Sequence, residues 1–231
     1  MENLVERLCS WAYGARTKLN KAVQISVLAV VPSLAAAEPV TVVALGDSLT
    51  AGFGLPEGQG FVPVLQDWLT AQGIDAEVVN AGVSGDTTAG GLARIDWALT
   101  PDADAMIVAL GGNDLLRGIS PESSRANLDG ILSKLEEAGL PALLIGLEAP
   151  GNYGPAFKAA FDSMYPELAE IYDALYEQSF LAPLVAELPL DEARVRYMQS
   201  DGIHPNHDGV RVIVEAIGPR VAELVARAGP S

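Results

Sequence analysis

Apolar residues follow two alternating rhythms from residue 40 to residue 228. Val40-Thr41-Val42-Val43-Ala44-Leu45 is a nearly unbroken apolar run of strand length, residues 105–110 and 142–147 repeat the pattern, and residues 76–80 read as a second, short strand. Such runs are expected of strands covered on both faces of a sheet. Between them the spacing becomes helical. Val64, Leu65, Trp68 and Leu69 predict a helix over residues 61–72 that stops at Gly73, and Leu92, Ile95 and Leu99 predict a second. Ser120-Pro121-Glu122 opens a third, since a serine cap followed by proline at the first helical position is a strong start signal; Leu128, Ile131, Leu132 and Leu135 form its inner face and Gly139 ends it. Helical spacing resumes at Phe157, Phe161, Leu168, Ile171 and Leu175, with Pro166 as the expected break. Residues 180–185 read as a fifth strand and residues 210–228 as the closing helix.

Strands alternating with helices imply right-handed crossovers and a parallel sheet of about five strands in a three-layer α/β/α sandwich. The glycine- and asparagine-bearing loops all follow strands, so they are expected to gather at one edge of the sheet. Ligands of open α/β sheets bind at that edge.

The first of these loops carries Gly46-Asp47-Ser48-Leu49 and places a serine hydroxyl directly behind a strand. That makes Ser48 a candidate nucleophile, against the plainer reading of a turn or capping serine. A serine nucleophile needs a base, and the chain has two histidines, His204 and His207. Asp201 precedes His204 by three residues, close enough in a tight turn to bind one ring nitrogen while the other faces Ser48. Pro205 restrains His204 to extended geometry. His207 lacks an acid at that spacing and reads as a first-turn residue of the closing helix. Attack on a carbonyl also requires donors for the developing oxyanion. The Ser48 N–H is one candidate, a glycine N–H of the second loop (Gly82 or Gly85) another, and the Asn113 side-chain amide behind Gly111-Gly112 a third.

Gly-Asp-Ser-Leu at 46–49, Asn-Ala-Gly-Val-Ser-Gly-Asp at 80–86, Gly-Gly-Asn-Asp at 111–114 and Asp-Gly-Ile-His-Pro-Asn at 201–206 resemble the four blocks of the GDSL, or SGNH, hydrolases. The nearest subgroup is the exported bacterial thioesterase, lysophospholipase and arylesterase type, and the resemblance spans residues 40–227. It implies a flavodoxin-like sandwich, Ser48 as nucleophile, His204 as base and Asp201 as its orienting acid. It also implies an oxyanion hole of Ser48, Gly85 and Asn113, and neither metal nor organic cofactor. The reaction expected is two-step acyl transfer to water, with activity rising as His204 loses its proton. Leu115, Leu116, Pro150 and Tyr153, on loops expected to border Ser48, are candidate acyl-binding residues.

Charge narrows the substrate. The whole chain carries −16, and residues 1–37 hold four bases and two acids, which leaves −18 on residues 38–231. Such a surface repels phosphate backbones and anionic head groups, which argues against nucleic acid as a partner and ranks lysophospholipids, lipid esters and aryl esters above polyphosphorylated acyl-CoA. The partner expected is a small acyl ester, with no obligate protein partner. A carbohydrate acetylesterase is the rival within the same chemistry, and a non-catalytic binding protein of the same fold is the rival outside it. A phosphate-binding flavodoxin-like module is weaker, because residues 46–54 contain no base and Asp47 is acidic.

Residues 1–37 read as an export signal. Arg16, Lys18 and Lys21 precede a mostly apolar run that closes on Ala35-Ala36-Ala37, with cleavage expected after Ala37 and a periplasmic or secreted domain over 38–231. The run is shorter than the roughly 20 residues of a membrane span and is broken by Gln24, Ser26, Pro32 and Ser33. Cys9, the one cysteine, falls inside it, so the domain beyond would have no disulfide and no cysteine-based metal site.

Overall fold

The computed structural model describes residues 38–229. The signal segment, its cleavage point after Ala37 and Cys9 lie outside the described residues. In chain order the elements are β1 (Val40–Gly46), α1 (Ser48–Ala51), α2 (Phe61–Ala71), β2 (Ala76–Gly82), α3 (Thr88–Ala98), β3 (Ala105–Ala109), α4 (Gly112–Leu116) and α5 (Pro121–Ala138). They continue with β4 (Ala142–Ile145), α6 (Pro155–Ile171), β5 (Leu175–Glu177), α7 (Leu190–Tyr197) and α8 (His207–Ala228).

The five strands form one parallel sheet in the order β2-β1-β3-β4-β5. The direction of winding reverses between β1 and β3, and the carboxyl ends of these two strands frame the crevice where ligands of doubly wound sheets lodge. Gly46, the last residue of β1, pairs with Gly82 on one side and Ala109 on the other, so the loops after β1, β2 and β3 leave the sheet at one level.

Each apolar strand run divides between two cores by its alternation. Val42 and Ala44 of β1, Ile107 of β3 and Leu143 of β4 point to the face covered by α2 and α8, against Phe61, Leu65, Leu69, Ile213, Ile217 and Leu224. Val43, Leu45, Met106, Val108 and Leu144 point to the face covered by α3, α5 and α6, against Ile95, Leu128, Ile131, Leu135, Phe161 and Leu168. A central strand buried on both faces has no place for polar alternation, which is why these runs look continuous in sequence. The cap at Ser120 forms as expected: its hydroxyl accepts from the Ser123 N–H, Pro121 is the first helical residue, and Gly139 closes α5 at φ +70°.

Several boundaries differ from the sequence expectation. Val64 and Trp68 are only half-buried, and α2 instead buries Phe61, Val62, Leu65 and Leu69. The loop after Ser48 begins with the helical turn α1 rather than with irregular chain. Pro166 does not break α6; the missing hydrogen bond is offset by the burial of Phe161, Tyr165 and Leu168 on either side of it. Leu175 is not helical. Helix α6 ends at Ile171, Asp173 takes φ +48°, and Leu175 begins β5, so the fifth strand lies earlier than expected. Residues 180–185 are not a strand: Ala182–Val185 is a 3-10 turn with Pro183 at its start, while Phe180 packs its ring 4.9 Å from Phe61 in the core. Helix α7, which buries only Ala193, carries no apolar period that would announce it.

Candidate active site

The site is built on the turn that follows β1. Asp47 caps α1, its Oδ1 accepting the Leu49 N–H at 3.0 Å, and Ser48 is the first residue of that turn. The turn sits tightly against the end of β2, because a Cβ on Gly82 would lie 2.4 Å from the Ala51 nitrogen. Gly82 is therefore needed for close approach. Of the two glycines left open by spacing, it has a packing role. Gly85 lies in the free loop beyond it at φ +84°, its carbonyl accepting from Arg117 Nη2 at 2.8 Å.

Ser48 Oγ lies 2.8 Å from His204 Nε2, and His204 Nδ1 lies 2.7 Å from Asp201 Oδ2. The other Asp201 oxygen accepts the backbone N–H groups of Ile203 at 2.9 Å and His204 at 3.0 Å. The His204 N–H, the His204 ring and the Ile203 N–H, in that order, hold the Asp201 carboxyl down to about 2. Both of its oxygens therefore stay available as acceptors, and Nδ1 is the ring nitrogen that donates. This leaves Nε2 free to accept the Ser48 proton. The loop is tied off by an antiparallel bridge between Met198 and Pro205, and Asn206 then caps α8 by accepting the Gly209 N–H. His207 is the first residue of α8, as expected, and is half-buried, with Nδ1 3.4 Å from the Gln59 carbonyl.

Asn113 stands in α4, behind Gly111 at φ +121°, and its side-chain amide donates to Asp47 Oδ2 at 3.3 Å. Burial pushes the Asp47 carboxyl up to about 6, against the lowering effect of the Leu49 and Asn113 hydrogen bonds. Among the described residues, the N–H groups of Ser48 and Gly85 donate to no protein acceptor. They are available, as an oxyanion would require.

Two further groups fix these loops. Asp114 is fully buried and accepts from Thr88 N, Thr88 Oγ1 and Ser124 Oγ at 2.8, 2.6 and 2.9 Å, which pins α4 to α3 and α5. Arg94 pairs with Asp86 at 2.6 Å and donates to the carbonyls of Ala81 and Gly46, closing the ends of β2 and β1. Asp114 lies within the third sequence block and Arg94 eight residues beyond the second, yet neither role is visible from spacing, because the partners lie on other elements.

The four candidate acyl-binding residues do not behave alike. Leu115 turns inward and is half-buried against the α5 and α6 side, whereas Leu116 is exposed. Tyr153 is exposed, stacks on Phe157 at 4.8 Å and lies over Gly118 just beyond α4. Pro150 begins the short turn that carries Tyr153. Leu116, Pro150 and Tyr153 are thus the exposed members of the four. Phe53, absent from the sequence expectation, is also exposed and sets its ring 4.7 Å from that of His204. Among the described residues no group of three or more His, Cys, Asp or Glu is placed to hold a metal, and no helix is long and apolar enough to cross a membrane.

Residues 44–212 match the model of the GDSL-like Lipase/Acylhydrolase family. Esterase TesA of Pseudomonas aeruginosa is 38% identical over 187 residues, covering 80% of this chain and 89% of that protein. Thioesterase 1/protease 1/lysophospholipase L1 of Escherichia coli K12 is 34% identical over 196 residues, covering 82% of this chain and 87% of that protein. The crystal structure of AlinE4, an SGNH-hydrolase family esterase, superposes with a TM-score of 0.65 at 44% identity, covering 84% of this chain and 98% of that one.

Proposed function

The chain belongs to the GDSL-like lipase/acylhydrolase family and is a serine esterase, a carboxylic ester hydrolase; from that premise we propose that Ser48, His204 and Asp201 carry its reaction. The observation behind this reading is the unbroken hydrogen-bonded chain from Ser48 Oγ through the imidazole to Asp201. Ser48 Oγ attacks the ester carbonyl while its proton passes to His204 Nε2. The carbonyl oxygen takes up negative charge facing the Ser48 and Gly85 N–H groups and the Asn113 amide. His204 then gives its proton to the departing alkoxide, leaving an acyl-serine. A water enters, loses a proton to His204 and attacks the acyl carbon; collapse returns the proton to Ser48 Oγ and releases the carboxylic acid. Asp201 stabilises the imidazolium in both halves.

The substrates proposed are lysophospholipids, small lipid esters and aryl esters, with thioesters such as acyl-CoA ranked lower. The net charge of −18 on residues 38–231 opposes a polyphosphorylated leaving group. The exposed Leu116, Pro150 and Tyr153 offer apolar surface to an acyl chain. Export through residues 1–37 is proposed from their charged, apolar and small-residue order.

The test is hydrolysis of p-nitrophenyl esters from acetate to palmitate by the wild type and by Ser48→Ala. Turnover by the first and not the second is expected, with a preference for longer chains. A preference for acetate would favour the acetylesterase reading, and inertness of both would favour a binding protein. Lysophosphatidylcholine should outpace palmitoyl-CoA at low salt, and that ranking fails if the thioester wins at low and high salt alike. Amino-terminal sequencing of exported protein should begin at Glu38.

A further inference from the structure

Ser48 and His204 belong to loops 156 residues apart, and their 2.8 Å contact is made and remade in every turnover. Something outside the reacting atoms must hold the two loops in register. Among the described residues, three side-chain hydrogen bonds join residues 48–60 to residues 197–207: the Ser48–His204 contact itself, a long 3.4 Å contact from His207 to the Gln59 carbonyl, and one from Gln199.

Gln199 uses both hydrogens of its amide. Nε2 donates to the Phe53 carbonyl at 2.8 Å, on the serine loop, and to the Pro205 carbonyl at 3.0 Å, beside the histidine. Its own backbone N–H donates to the His204 carbonyl at 2.8 Å, and its carbonyl accepts from the Gly202 N–H at 3.0 Å. The residue therefore grips the Asp201–His204 turn from inside and reaches across to the other loop. Phe53 is itself tied to the nucleophile, its N–H donating to the Ser48 carbonyl at 3.0 Å, and its ring rests on the imidazole. Gly54 leaves room for this arrangement: it sits at φ +75°, and a Cβ there would lie 2.3 Å from Gln199 Oε1.

We propose that Gln199 is a positioning residue for the Ser48–His204 pair, acting as a clamp whose two amide hydrogens join the loop after β1 to the loop before α8. The inference rests on the esterase reading of the site. The clamp touches neither substrate nor reacting atoms, so its loss leaves substrate binding intact and misaligns the proton transfer. Misplacement by about 1 Å at a reacting pair costs on the order of 100-fold in rate.

The full chain is assayed with p-nitrophenyl butyrate as Gln199→Met, which keeps the length and removes both donors, and as Gly54→Ala, which displaces the amide while leaving it in place chemically. Both should lose about 10–100-fold in kcat with KM within about twofold of wild type, and inactivation by a p-nitrophenyl alkylphosphonate should slow by the same factor. Wild-type kcat in Gln199→Met overturns the clamp whatever Gly54→Ala shows, as does a loss of kcat matched by an equal rise in KM. Should Gln199→Met fail to fold, Gln199→Ser, which also removes both amide donors, decides in its place, because Gly54→Ala adds backbone strain at φ +75°. Ser48→Ala run alongside separates the two levels: an inert Ser48→Ala with fully active clamp variants defeats only the clamp, whereas a fully active Ser48→Ala defeats the reading beneath it.

Discussion

Asp47 and Asn113 stand 66 positions apart in sequence, yet the Asn113 amide donates to the Asp47 carboxyl across 3.3 Å where β1 and β3 leave the sheet. One carboxyl group thus serves two parts of the site: Oδ1 caps the turn that presents Ser48, and Oδ2 decides which way the Asn113 amide faces. In Asp47→Asn one of those oxygens becomes a donor facing a donor, and Asn113 loses the partner that orients it. A fall in kcat of about 10–100-fold is expected, short of the roughly 100- to 1,000-fold cost of deleting an oxyanion donor. Steady-state kinetics on a p-nitrophenyl ester would show it.

The same residue gives a pH signature in stability. Burial raises the Asp47 carboxyl from its ordinary 3.8 to about 6, so between those values the folded chain holds a proton that the unfolded chain has released. Stability must therefore fall as pH rises through that window, by on the order of 3 kcal/mol from this group. His204 and Asp86 are the charged side chains acting on it, in opposite senses. Urea denaturation midpoints of wild type and Asp47→Asn, compared from pH 4 to pH 7, isolate the contribution: the wild type should lose ground relative to the variant as pH increases.

Asp201 behaves in the opposite way. Its carboxyl is held down to about 2, so its stabilising contribution is complete above its ordinary range and disappears only as pH falls toward 2. In Asp201→Asn the amide oxygen is expected to keep the Ile203 and His204 N–H groups, turning the amide NH2 toward Nδ1. The imidazole then carries its hydrogen on Nε2 and cannot take the Ser48 proton. A loss of about 10⁴ in kcat with KM little changed is the expected outcome.

Asp114 is a stability residue that happens to adjoin the site. It accepts three hydrogen bonds in full burial, and Asp114→Asn would set an NH2 group against at least one of those donors. A destabilisation of about 2–4 kcal/mol is expected from chemical denaturation. Ser120→Ala, which removes only an exposed helix cap on the far side of α4, should cost about 1 kcal/mol and leave kcat unchanged.

How much of this was legible in the sequence depended on whether a feature's cause was local. The doubly buried strands show as unbroken apolar runs, and the Ser120-Pro121 start is written in adjacent residues. The pairing of Asp201 with His204 follows from a spacing of three. By contrast, β5 is only three residues long and follows a helix end set by Asp173 in a left-handed conformation, so Leu175 fell into step with the helical rhythm before it. Phe180 was apolar because it packs on Phe61, not because it lies in a strand. Gln199, Arg94 and Asp114 do their work through partners 146, 48 and 26 positions away, and no window along the chain could link them.

The two ends of the described domain have unequal but complementary parts. Ser48 follows the first strand, and His204 stands just ahead of the final helix, whose inner face completes the core over α2. All five strands lie before residue 178, so a chain lacking the residues after them would, on the proposed roles, have no base for its serine. On the proposed roles, ester turnover is a report that the domain has folded from its first strand to its last helix.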